Sequence, residues 1–273
     1  MGSSFIAYGA FYAVMLLAGQ EWLKRRNKSQ EFFDSFVIAL WGLVNTFTEH
    51  RFGKPWSHKD LQHTSMGIIW WCGGLVGMLT ATRNGPKRSI IPAVIIFITG
   101  WAMSSHAQNL MISTKMHAVF GYTLMAAGAT RVIEIAFLLR DRNEAEDSEV
   151  YAFQYLPPFL LIASGLLFMG SNEEQMILLN GANMDHVSYA LVIYSIAFII
   201  YFLVLALINL YQTSGKNDIK NVEENGYTAG SNLENNAEIE RQVQQAGEFE
   251  LEELLDDQSV SDASENFIRE VDK

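Results

Sequence analysis

Long apolar segments separated by short polar loops make up most of the chain. An uncharged run of about 20 residues is long enough to cross the roughly 30 Å hydrocarbon core of a bilayer as a helix. The pattern therefore predicts an all-α fold, a polytopic membrane helical bundle of about seven transmembrane helices in contact with the lipid bilayer. The seven segments are 3–19, 32–47, 64–82, 90–111, 116–139, 150–170 and 187–211.

Basic residues in the loops predict the orientation of this bundle. Cytoplasmic loops of membrane proteins carry an excess of Lys and Arg. If the N-terminus is outside, the inner loops contain eleven Lys and Arg residues and the outer loops contain four. We therefore expect an integral, multi-pass membrane protein with its N-terminus outside and its C-terminus in the cytoplasm.

The residues after Gln212 differ in composition from those before it. Fourteen basic residues balance fourteen acidic ones up to Gln212, whereas five basic residues face sixteen acidic ones beyond it. Acidic segments with few apolar residues cannot bury a core. We expect a seven-span transmembrane domain over 1–212 and an acidic, mostly disordered cytoplasmic tail over 213–273. The tail is a candidate site for a cytosolic protein partner, and its charge argues against nucleic acid.

Several chemistries lack their motifs in this sequence. Cys72 is the only cysteine, so the chain has neither an internal disulfide nor a CxxC pair for zinc or an iron–sulfur cluster. There is no nucleophile elbow, phosphate-binding Walker loop, HExxH or GxGxxG motif. These absences argue against hydrolase and nucleotide-binding functions, and whether the protein is an enzyme stays open.

All six histidines fall at or near the predicted non-cytoplasmic ends of the helices. His106 and His117 flank a predicted turn over 111–115, so we expect them at equal depth on antiparallel helices. His50 and His63 likewise bracket a predicted loop over 51–62, with Glu49 beside them.

These residues predict a cofactor site near the non-cytoplasmic face. Imidazole with a carboxylate suits zinc, copper or iron, and two facing imidazoles suit one b-type haem. The alternative is that the imidazoles are interfacial and hydrogen-bond to backbone, water or carboxylates. The predicted cofactor ligands are His50, His63, His106 and His117, with Glu49 as a further metal ligand.

Two other patterns concern the helices themselves. Arg131 and Glu134 are three residues apart and share a helix face, which favours a structural ion pair; the alternative is that they line a proton or ion path. Small residues let helices approach closely in lipid. The GxxxG pattern from Gly73 to Gly77 predicts such a contact, and Gly121 and Gly128 predict another.

Four sequence blocks carry a family resemblance: WGLVNTFTEHR at 41–51, PWSHKDLQHTSMG at 55–67, GWAMSSHAQ at 100–108 and HAVFGYTLMAAG at 117–128. They resemble the C-terminal domain of the fungal family called yeast putative transmembrane protein, over most of residues 3–212. The resemblance implies a multi-span membrane protein with similarity to respiratory electron-transport components. It also implies that members carry a further membrane region ahead of this segment.

Two functions are compatible with these features. The first is redox chemistry or metal handling at the histidine site. The second is a transporter, membrane sensor or scaffold without a cofactor, which acts through the acidic tail.

Overall fold

A computed structural model of the chain describes residues 2–50, 53–82, 88–105, 108, 110–139 and 150–214. These residues confirm an all-helical fold and contain no strand. The helices are α1 (Gly2–Leu17), α2 (Gln20–Arg26), α3 (Gln30–Thr48), α4 (His58–Thr82), α5 (Ile91–Ser104), α6 (Met111–Ile133), α7 (Leu156–Met169), α8 (Glu173–Gly181) and α9 (His186–Thr213). A π-helical turn, Glu134–Leu138, continues α6, and a 3₁₀ turn, Ala152–Tyr155, precedes α7.

Each of the seven predicted segments coincides in large part with one helix, namely α1, α3, α4, α5, α6, α7 and α9. Four helical stretches in the described residues are long and apolar enough to cross a membrane: Asp60–Thr82, Met111–Leu138, Ala152–Met169 and His186–Thr213. A fifth is the pair α1 and α2, if the 84° bend between them lies within one span. Helix α5 is apolar but shorter, and α3 carries the buried polar residues Gln30, Glu31, Asp34, Ser35 and Asn45.

The bundle is built from antiparallel helix pairs that meet at glycines. Gly42 of α3 lies against Gly67 of α4, and Gly100 of α5 lies against Gly121 of α6. At the second crossing, a Cβ atom on either glycine would come within 2.6 Å of the carbonyl oxygen of the other. The glycines thus let the backbones pack directly on each other, as lipid-embedded helices require.

The predicted close contacts at glycines are confirmed in part, because the glycines of one predicted pattern pack on two different helices. Gly121 packs on Gly100, and Gly128 packs on the backbone of α5 at Ala93. In α4, Gly77 lies against Ser35 of α3, whereas Gly73 lies against Ile95 of α5. The predicted GxxxG pattern therefore contacts two neighbouring helices and not one.

Helix α6 lies at the centre of the described core. Its side chains Met116, Phe120 and Leu124 are fully buried. Phe120 contacts Phe5 of α1 and Phe168 of α7, with ring centroids 6.0 and 5.0 Å apart. Because α5 packs on another face of α6, this one helix contacts α1, α5 and α7.

Helix α9 packs at the edge of this core through aromatic side chains. The Tyr201 hydroxyl donates to the Tyr155 carbonyl at 2.9 Å, and the Phe159 and Phe198 rings stack 4.4 Å apart. Much of the rest of α9 is exposed and apolar, as expected for a lipid-facing helix. At its start, the Asp185 carboxylate accepts hydrogen bonds from Ser188 and Val187, which hold the pKa of Asp185 below its usual value.

Residues 2–210 form one compact unit, which ends within α9. From residue 215 onward the chain lies outside the described residues. The disorder of the acidic tail and its protein partner therefore stay predictions.

Candidate functional site

Four charged side chains are buried together inside the bundle. Glu31 and Asp34 come from α3, and Arg131 and Glu134 come from the end of α6. Their exposed fractions are 1%, 3%, 7% and 0%. We call these four residues the charged cluster. Unpaired charges are very unfavourable in such surroundings, so the partners of each group decide what the cluster can do.

Arg131 connects the two carboxylates that flank it. Its Nη2 donates to Glu31 Oε1 at 2.6 Å, and its Nη1 lies 2.8 Å from Glu134 Oε2. The predicted ion pair between Arg131 and Glu134 is confirmed. Glu31 was not predicted as a partner of Arg131. Its Oε1 also lies 3.3 Å from Arg88 Nη1, and the Arg88 side chain is 30% exposed.

Glu134 has a full set of partners. Besides Arg131, Oε2 accepts a 2.8 Å hydrogen bond from the Tyr12 hydroxyl, and Oε1 accepts a 3.0 Å bond from Gln154 Nε2. Glu134 is also where α6 changes to the π-helical turn, closed by a bond from Leu139 N to the Glu134 carbonyl. Such π-helical turns are frequent at functional sites.

The other two carboxylates are incompletely satisfied. Glu31 Oε2 and Asp34 Oδ1 are buried and have no hydrogen-bond partner among the residues that the structure describes. Both residues line a cavity of about 10 Å³, which is close to the smallest space that holds one water molecule. Tyr8 lines the same cavity, and its hydroxyl lies next to the Asp34 carboxyl.

The cluster forms where several helices reach the same end of the bundle. Helices α3, α5 and α7 begin there, while α1 and α6 approach it with their C-terminal halves. Proline at the start of α5 and of α7 suits a first helical turn, where no backbone donor is lost. The alternation of helix direction thus brings residues distant in sequence to one point.

Three of the predicted histidine ligands, His50, His63 and His117, lie towards the opposite end of the bundle. His63 Nδ1 is 3.1 Å from Glu49 Oε2, and His50 Nδ1 is 3.3 Å from Asp60 Oδ2. The His50 ring also stacks on Trp56 with centroids 3.8 Å apart. Each imidazole is thus paired with its own carboxylate, which is the arrangement that the interfacial alternative describes.

The predicted turn between the other two histidines is wrong. Helix α5 ends at Ser104, and residues 111–115 form the first turn of α6. The Ser104 and Ser105 hydroxyls donate to the Trp101 carbonyl at 2.8 and 3.2 Å, which competes with continuation of the helix. His117 therefore lies inside α6, with Nδ1 2.9 Å from the Ser113 carbonyl, and His106 lies outside the described residues.

The arrangement gives the predicted metal site no support. Within the part of the chain that the structure describes, no three His, Cys, Asp or Glu side chains are grouped to hold a metal ion. Because His106 is not among the described residues, its part in a metal or haem site stays a prediction.

The pair of Glu49 and His63 should add little to stability. Its side chains are 29% and 19% exposed, and ion pairs open to solvent contribute at most about 1 kcal/mol. We expect Glu49→Gln to lower the unfolding temperature only slightly in detergent. A loss as large as that from removing a buried charge would contradict this view of the outer pairs.

Sequence reasoning missed half of the charged cluster, namely Glu31 and Asp34. Glu31 and Asp34 are three apart at the start of a weakly apolar segment, the same spacing as Arg131 and Glu134 at the end of another. Ionisable residues inside a span are functional candidates by default. If this rule had been applied to Glu31 and Asp34, it would have placed them at the same predicted end of the bundle as the pair of Arg131 and Glu134.

The chain is similar to known membrane proteins of fungi. Residues 1–212 match the family described as Protein YTP1-like, C-terminal. The chain is 51% identical to Protein YTP1 of Saccharomyces cerevisiae over 214 residues, which cover 77% of this chain and 45% of that protein. It is 32% identical over 173 residues to the uncharacterized membrane protein YCR061W of the same yeast, covering 54% of this chain and 27% of that protein.

A third relative comes from Schizosaccharomyces pombe. Its uncharacterized membrane protein C3B8.06 is 27% identical over 175 residues, which cover 54% of this chain and 34% of that protein. The chain thus spans less than half the length of each of these relatives. Because residues 1–212 match this family, the chain belongs to the YTP1-like, C-terminal family of membrane proteins.

Proposed function

We propose that this chain is the membrane-embedded part of a proton transporter, in which the charged cluster carries the proton. The observation that carries the proposal is the burial of four ionisable side chains, two with unpartnered oxygens, inside a helical bundle. A buried ion pair is weak evidence for stability, because desolvation offsets much of the Coulombic attraction. Ionisable groups inside a bundle therefore favour a role in moving charge.

The proposal includes seven crossings, with the N-terminus outside and the C-terminus in the cytoplasm. The alternating directions of the long helices support it, since α3, α5 and α7 begin at the end where α1 and α6 terminate. The excess of basic residues in the loops at that end supports a cytoplasmic position. A glycan on Asn27, the acceptor of the Asn-Lys-Ser sequence between α2 and α3, would reverse the orientation.

A flux assay on the full chain in liposomes tests the function. A pH-sensitive dye inside the vesicles reports proton entry when a potassium gradient with valinomycin sets the membrane potential. We expect acidification with the wild-type chain, and a rate close to that of empty liposomes with Asp34→Asn. Glu49→Gln, at the opposite end of the bundle, is the matched control and should keep the wild-type rate.

Two results would argue against proton transport. One is a wild-type rate equal to that of empty vesicles. The other is an Asp34→Asn rate equal to the wild-type rate, since the cluster would then play no part in the flux.

A redox or metal-handling role at the histidines is a second proposal. The imidazole–carboxylate pairs of His50 and His63 are compatible with it as well as with an interfacial role, because metal-bound histidines commonly bond to a carboxylate through their other ring nitrogen. Elemental analysis and a reduced-minus-oxidised spectrum separate zinc, copper or iron from one b-type haem. Purified protein that is blank in both would remove this candidate.

A further inference from the structure

The geometry points to Asp34 as the residue that holds one exchangeable proton, beside Glu31 on the α3 wall of the water-sized cavity. The inference rests on the proposed function and names the group that binds the transported ion. It follows from the charge balance of the cluster, from the burial of Asp34 and from the small size of the cavity.

The charge balance leaves one carboxyl group without a cation. Among the described residues, three carboxyl groups face two guanidinium groups, those of Arg88 and Arg131. Arg131 bonds to Glu31 and Glu134, and Arg88 contacts Glu31 as well. Asp34 forms none of these ion pairs, so the surplus negative charge falls on it.

Burial makes that surplus charge unstable. The side chain of Asp34 is 3% exposed, and its Oδ1 has no hydrogen-bond partner. A buried carboxylate without a bonded cation binds a proton and becomes neutral, because its charge is far less favourable there than in water. A proton on Asp34 leaves two carboxylates, Glu31 and Glu134, matched by the two guanidinium groups of Arg131 and Arg88.

The groups that face Asp34 allow this assignment. The remaining side chains of the cavity wall are apolar and include Pro92 and Ala93 of α5 and Pro157 and Leu161 of α7. A cation-binding site such as that of calcium needs six or more oxygen ligands, which a cavity of about 10 Å³ with two free carboxylate oxygens does not supply. The titratable or charged groups around Asp34 are Tyr8 and Tyr12 of α1, Glu31 of α3, and Arg131 and Glu134 of α6.

The transfer step is a simple proton exchange. The O–H bond of the Asp34 carboxylic acid breaks, and an O–H bond forms on a water molecule in the cavity, leaving a carboxylate. No oxidation or reduction takes place. Arg88 lies at the partly exposed edge of the cluster and marks the side from which the proton reaches bulk water.

Infrared spectroscopy of the full chain in nanodiscs tests the assignment. We expect the carbonyl-stretch band of a protonated carboxylic acid at neutral pH, shifted by exchange into D₂O and lost in Asp34→Asn. Glu49→Gln should keep the band. Because Asn has the shape of a neutral aspartic acid, Asp34→Asn should also keep the wild-type unfolding temperature.

Three outcomes would overturn the inference. They are a wild-type spectrum without the band, a band that persists in Asp34→Asn, and a sodium-dependent rise in unfolding temperature that requires Asp34. The last would assign a metal cation to the cavity. A band with no proton flux would reject the transport function and leave the resident proton standing, whereas flux without the band would do the reverse.

Discussion

Replacement of Arg131 by methionine should produce the largest loss of stability of any single change in the charged cluster. The substitution leaves the Glu31 and Glu134 carboxylates buried without their shared cation. Removing one partner of a buried ion pair typically costs about 3 to 5 kcal/mol, because the remaining charge is uncompensated. Thermal unfolding of the purified chain in detergent measures the effect.

A triple variant shows whether charge or packing causes the loss. In Arg131→Met combined with Glu31→Gln and Glu134→Gln, the uncompensated charges are gone while the side chains keep similar volumes. We expect this variant to recover most of the unfolding temperature, because neutral replacements of a buried ionic group are often tolerated. An equal loss in the single and triple variants would mean that Arg131 acts through packing alone.

The fold was predictable from sequence because its main signal is local. Each apolar segment is long enough to identify a helix without knowledge of its neighbours. The pair of Arg131 and Glu134 was predictable for the same reason, since a spacing of three residues places both on one helix face.

The charged cluster was not predicted, because its contacts depend on which helix ends meet. Arg131 and Glu31 are 100 residues apart in sequence, and their contact requires α3 and α6 to be neighbours. Tyr12 and Glu134 are 122 residues apart. Hydrophobic patterns define helices but not their lateral order in the bundle.

The expectation that His106 and His117 flank a turn over 111–115 was wrong for a local reason. It relied on the position of the turn between two helices, and element boundaries are the least reliable result of pattern reasoning. Helix α5 ends at Ser104, seven residues before the predicted end at 111. His117 was therefore assigned to the wrong position relative to its turn.

The second large effect is expected where α5 crosses α6. In Gly121→Ala, the new Cβ atom would lie 2.5 Å from both the Gly100 carbonyl oxygen and the Ser104 backbone nitrogen. Backbone atoms cannot rotate away as a side chain does, so the helices must separate. Overpacking of this kind costs about 1 to 3 kcal/mol, and Gly121→Val should cost more.

Gly181→Ala is the matched control for this crossing. It lies at the end of α8, and a Cβ atom there meets nothing within 4 Å. We expect its unfolding temperature to equal or slightly exceed that of the wild type, because Ala favours helix more than Gly does. If Gly121→Ala were as harmless as Gly181→Ala, α5 and α6 would not be in backbone contact. The position of α5 beside the charged cluster would then also be wrong, because the contact between Gly100 and Gly121 fixes α5 against α6.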